Sequence, residues 1–158
     1  MLTAIFMGYI NAKKLNNRVN FLTKYLQFIN YLEAEVKYSY DFIYDLTKRY
    51  CCIDSINDFL MFFIKNIDDG NSLSYSWKQA LSNIKDFSGL NNDDIDLIHN
   101  FGNNLGKSDA EGQVSYCKMN KQLIKSRIAL ALEDKEKKSK LYFTLYILGG
   151  LSIILFFL

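Results

Sequence analysis

Between Asn11 and Tyr38 the apolar residues Leu15, Val19, Leu22, Leu26 and Ile29 recur at alternating steps of four and three, and the stripe resumes at Val36 after a break at Glu33. That spacing keeps one face of an α-helix apolar and predicts a long first helix with a buried seam. Shorter stretches repeat the pattern. From Asp41 to Cys51 the apolar positions are Phe42, Ile43, Leu46 and Tyr50, and from 54 to 68 they are Ile56, Phe59, Leu60, Phe63, Ile64 and Ile67, with Asp54 or Ser55 available as a cap. The turn residues Asp69-Gly70-Asn71-Ser72 lead into a stripe of Leu73, Trp77, Ala80, Leu81 and Ile84, with Trp77 read as core. After Ser88-Gly89 the segment from Asn91 to Gly106 opens with capping asparagines and aspartates, which suit the positive end of a helix dipole.

The stretch 101–113, FGNNLGKSDAEGQ, reads as a sharp corner between two helices. Gly106 stands where a helix C-terminus wants positive φ, Ser108 to Glu111 has the form of a capping box, and Gly102 lies one turn before Gly106, leaving a bare strip for a packing neighbour. A last helix from about Asp109 to Lys140 carries Val114, Cys117, Ile124, Ile128 and Ala131 on one face. The whole predicts an all-α protein, a helical bundle of about six helices.

The two ends differ from this middle. Residues 141–158, LYFTLYILGGLSIILFFL, carry no charge and reach roughly 27 Å as a helix, enough for a transmembrane helix. Lys135, Lys137, Lys138 and Lys140 precede them, which by the positive-inside rule places the preceding residues in the cytoplasm. The last helix is expected to run unbroken into this span. Residues 1–10, MLTAIFMGYI, are apolar over only about 15 Å, half a bilayer core, and read as a short or truncated N-terminal membrane segment. Lys13, Lys14 and Arg18 follow it as membrane-flanking charges. The expected division is therefore 1–10 as this segment, 11–140 as a cytoplasmic helical bundle and 141–158 as the transmembrane helix.

Composition narrows the chemistry. There is no proline in 158 residues, so nothing breaks the long helices. Residues 1–106 hold 10 basic against 12 acidic residues, and 107–140 hold 9 against 5, a positive stretch that leads directly into the apolar tail. A membrane-flanking role accounts for it more simply than nucleic acid, and no nucleic-acid partner is expected. Cys51, Cys52 and Cys117 form an odd set without Cys-x-x-Cys spacing, and His99 is the single histidine, so no catalytic pair, cofactor or metal site is expected. Free cysteines pack as small apolar groups. Glu33 and Glu35, placed in or beside an apolar seam, are the candidate partner-binding residues.

The corner Phe101-Gly102-x-x-Leu105-Gly106-x-x-Asp109-x-x-x-Gln113 resembles a signature of the stage III sporulation protein AB family. The order of parts is similar too: an apolar N-terminus, Leu32-Glu33-Ala34-Glu35-Val36 in the first long helix, Trp77, the glycine corner, a charged helix and an apolar tail. The resemblance implies a non-enzymatic membrane platform in the sporulation channel complex between mother cell and forespore, held in the mother-cell membrane. Through the family's similarity to the inner-membrane platform protein of type II secretion, it also implies docking to a cytoplasmic ATPase and to other membrane subunits. The alternative is a tail-anchored helical adaptor unrelated to sporulation. Whether the bundle closes within one chain or across a homo-oligomer stays open at the level of sequence.

Overall fold

A computed structural model describes the backbone over residues 2–38, 43–51 and 56–157, and the side chains within 10–36, 43–51 and 56–141 apart from 57 and 139. Six helices follow one another: α1 (Leu2–Tyr38), α2 (Ile43–Cys51), α3 (Asn57–Asp68), α4 (Leu73–Ser88), α5 (Asn92–Asn104) and α6 (Ala110–Phe157). Among the described residues there is no strand, as the helical spacing of the apolar positions requires.

α1 is the spine. It packs along α6 on one side and against α2 and α4 on the other. That double burial explains why its apolar face is wider than a heptad seam. Leu22, Ile29 and Val36 are buried as expected, but Tyr25, Phe28 and Leu32 are fully buried beside them, while Val19 and Leu26 are only half-buried. The broad stripe is that of a globular-protein helix rather than of a coiled coil. The chain closes its core by itself around Trp77, whose ring meets Phe59 at 4.8 Å and Phe63 at 5.1 Å, both edge-on. Tyr25, Phe28 and Phe101 complete the cage. Each well-oriented aromatic pair adds about 0.5–1.5 kcal/mol beyond the burial of its area.

The helix ends follow local chemistry. Ser72 caps α4 through the Tyr75 N–H, and Asn91 with Asp94 forms a reciprocal capping box at the start of α5. Asp54 and Ser55 lie outside the described residues, and the residue preceding α3 is Ile56, which has no capping side chain. Gly89 ends α4 with φ +74. A Cβ there would also stand 2.0 Å from the Lys14 carbonyl oxygen, so the α4–α5 turn lies directly on the backbone of α1.

One expectation is corrected. The capping box Ser108–Glu111 does not form: Asp109 is the cap, accepting the Gly112 N–H at 2.9 Å, because it stands one residue closer to the first helical turn. α1 runs without a break from Leu2 through the N-terminal apolar segment, with no proline or glycine pair to interrupt it. Among the described residues no helix is long and apolar enough to cross a membrane. In the expected span 141–158 the backbone stays helical to Phe157 as part of α6, and the side chains from 142 onward lie outside the described residues.

Candidate functional site

In the glycine corner each residue makes distinct contacts. Phe101 is fully buried and stacks on Tyr116 of α6 at 5.5 Å, while Leu105 is buried beneath the turn. Gly106 carries φ +78, a conformation that costs an L-residue about 1–2 kcal/mol. Gln113 reaches back from the first turn of α6, donating to Ser108 Oγ at 2.8 Å and to the Asn104 carbonyl at 3.4 Å. The corner thus sets the direction in which α6 leaves α5.

Gly102 has a more specific neighbour than a bare strip would suggest. The Trp77 indole lies flat against it, so that a Cβ would fall 2.1 Å from Cδ1 and 2.3 Å from Nε1. The indole N–H donates to the Ile98 carbonyl at 2.9 Å, one turn earlier on α5. Trp77 and Gly102 therefore form one joint between α4 and α5, fixed by shape and by a hydrogen bond.

A second joint was not visible in the sequence. Asp94, fully buried, accepts at Oδ2 from Arg18 Nε of α1 at 2.7 Å and from the Asn91 N–H, and at Oδ1 from Arg127 Nε of α6 at 3.0 Å. Arg18 extends the network to Asp134 at 2.8 Å, and Arg127 to Asp93 at 2.8 Å. One carboxylate at the N-terminus of α5 therefore ties α1 and α6 together. Burial opposes the charge on Arg18, but the hydrogen bonds and charges of Asp94 and Asp134 outweigh it and raise the pKa above its ordinary value. Arg127 shifts the other way, lowered by burial and then by the neighbouring Arg18. In sequence Asp94 reads as a helix cap and Arg18 as a membrane-flanking charge. The cap is real, and the missing signal is that its partners stand 76 and 33 positions away.

Glu33 and Glu35 stand near the other end of α1, both half-buried. Glu33 forms an ion pair with Lys121 of α6. On its outward side α6 exposes Met119, Leu123 and Leu130, spaced four and seven apart and so on one stripe, away from the buried Cys117, Ile124 and Ala131. The apolar face expected for α6 is thus its contact with α1, and this second stripe was missed.

The candidate chemistry is sparse. Burial, then the charge of Glu33, pushes the Cys117 thiol up to about 11, which leaves almost no thiolate at neutral pH. Cys51 is half-buried, and Cys52 lies outside the described residues. Among the described residues no cluster of His, Cys, Asp and Glu could hold a metal ion, and His99 is hydrogen-bonded beside Asn103 on α5.

Comparison with known proteins gives a consistent result. A family described as stage III sporulation protein AB matches residues 1–158. A solved structure of a stage III sporulation protein AB superposes with a TM-score of 0.67 at 19% identity, covering 77% of this chain and 98% of that one. No curated protein matches by sequence. At that identity the structural likeness speaks for the fold, and the family match for membership.

Proposed function

The chain belongs to the stage III sporulation protein AB family, and from that premise we propose that it is a non-enzymatic platform of a sporulation membrane complex, held in the mother-cell membrane by residues 141–158 with its bundle in the cytoplasm. The observation that carries the reading is the continuity of α6, which leaves the bundle and extends without a break to Phe157, through a stretch of sequence with no charge beyond Lys140. A rigid helix joined in this way fixes the bundle at a set distance and angle from the bilayer. The four lysines just before the apolar run favour the cytoplasmic side for the bundle.

Partners would meet the bundle on two surfaces. Glu33 and Glu35 stand about 35 Å along α1 from Ile10, at the end remote from the apolar termini, where a cytoplasmic ATPase would approach. Met119, Leu123 and Leu130 face outward along α6, a position open to sister membrane subunits or to a second copy of the chain. The test is capture of the full-length chain from membranes of sporulating cells. The expected companions are an ATPase and other membrane proteins of the complex, and Glu35→Lys reduces recovery of the ATPase but not of the membrane proteins. A deletion strain that completes sporulation at the normal frequency overturns the proposal.

A further inference from the structure

α1 and α6 run antiparallel in a fixed register. Arg18 bonds to Asp134 and Glu33 to Lys121, so residue numbers at the same level add to 152 and 154 at two places along the pair. Leu22 and Ala131, both fully buried, fall at the same level between them. Both helices then continue past the bundle, α1 back to Leu2 and α6 forward to Phe157.

Eighteen residues are five full helical turns, about 27 Å. Stepping back eighteen from Leu22 reaches Ala4, and stepping on eighteen from Ala131 reaches Gly149, so these two positions keep both the level and the face of the buried Leu22 and Ala131. The same register sets residues 2–10 beside residues 143–151. We propose that the α1–α6 interface continues into the terminal apolar segments, with residues 2–10 packed antiparallel on residues 143–151 of the same chain and closest where Ala4 comes level with Gly149.

The chemistry of the two segments agrees with that geometry. Lipid offers no hydrophobic drive for helices to associate, so close approach at small residues supplies the packing. Ala4 and Gly8 are four apart on α1, and Gly149 is followed by Gly150 on α6. A ten-residue helix is too short to cross a bilayer alone. Laid against the first half of the C-terminal span it needs only to share that helix's inner-leaflet depth. The Arg18–Asp94–Arg127–Asp134 network, about two turns before the apolar run begins on each helix, then holds the pair in register from below.

The inference rests on the membrane reading above, and the experiment separates the two. In the full chain with Cys51, Cys52 and Cys117 replaced by Ala, the pair Ala4→Cys with Gly149→Cys is oxidised in the membrane fraction. It is compared with Phe6→Cys with Gly149→Cys, whose first position is turned about 200° away from Ala4 on the same helix. The expected result is an intrachain disulfide that keeps proteolytic fragments joined until reduction, in at least tenfold higher yield for the first pair, since bridged residues need Cα atoms within about 7 Å. Membrane-bound chain with no Ala4–Gly149 link, with equal yields from both pairs, or with interchain dimers alone overturns the pairing and leaves the membrane reading standing. Chain recovered in the aqueous fraction overturns both.

Discussion

Replacement of Asp94 by Ala is expected to cost about 3–5 kcal/mol, because it leaves Arg18 buried without its closest counter-charge. The side chain of Asp94 is wholly inaccessible and that of Arg18 is 5% exposed, so water cannot take over the lost bonds. Loss of the capping contact to Asn91 adds about 1 kcal/mol. Against a typical domain stability of about 5–15 kcal/mol, the variant stands close to unfolding. Asp134→Ala removes a carboxylate from the same arginine, yet Asp134 is 51% exposed and its loss is expected to cost under about 1 kcal/mol. The double variant Arg18→Met/Asp94→Leu removes the stranded charge together with its partner. It should regain at least half of what Asp94→Ala loses, since Arg127 keeps Asp93 and Asp134 keeps solvent. Thermal unfolding of the full chain in detergent, followed by circular dichroism, ranks the three. Equal losses for Asp94→Ala and Asp134→Ala refute the claim that burial gives this junction its strength.

Gly102→Ala should lower stability by about 2–3 kcal/mol, because the new methyl group strikes an indole that is fully buried, caged by aromatic rings and tethered to Ile98; a change below 0.5 kcal/mol in the same melt counts against the joint. Gly106→Val tests backbone alone, since the nearest atom to a Cβ there is Ile43 Cγ1 at 3.9 Å; about 1–2 kcal/mol is expected from forcing positive φ, and unchanged melting removes the corner. Cys117 should react with a maleimide only after unfolding, and its burial gives stability a slope in pH. The thiol titrates near 9 when unfolded and near 11 when folded, so between these values the unfolded chain binds fewer protons and stability falls as pH rises, by up to about 2–3 kcal/mol. Cys117→Ala should flatten that part of the pH profile relative to the parent, and an unchanged slope contradicts the assignment.

The local features of the fold were legible because their signals are local. Gly106 at positive φ, Asn91 as a cap, Trp77 in the core and the Cys117, Ile124 and Ala131 face of α6 each follow from residues within two turns of one another. The cap before α6 was misread as Ser108, since Ser108 and Asp109 both suit the position and only the path of the turn decides for Asp109. Long-range partners left no trace of this kind. Gly102 shows that something approaches closely, but not that it is an indole from 25 residues upstream. Tyr25, Phe28 and Leu32 fall outside any single seam because α1 is covered from two directions, which is a property of the assembled bundle.

The cost of burying ions between α1 and α6 raises the question of what apolar residues in their place would have failed to provide. Helices with repeating apolar stripes can slide by a turn or a heptad at small cost, since the stripe meets itself again. The charges forbid this. Shifting α6 by seven residues one way brings Arg18 level with Arg127 instead of Asp134 and Glu33 level with Val114 instead of Lys121; the other way brings them level with Leu141 and Ile128. Each slip takes Arg127 of α6 away from the buried Asp94 and Lys121 away from Glu33, a loss that an all-apolar interface would not impose. Register matters here beyond the bundle itself, because both helices continue into the terminal apolar segments and any slip at Arg18 is carried unchanged to residues 2–10 and 143–151. The buried ions thus bear on alignment as well as on stability. The variant Arg18→Met/Asp94→Leu should expose the difference: melting at least halfway back from Asp94→Ala to the parent, combined with Ala4→Cys/Gly149→Cys cross-linking spread over neighbouring turns, is the outcome that register control demands.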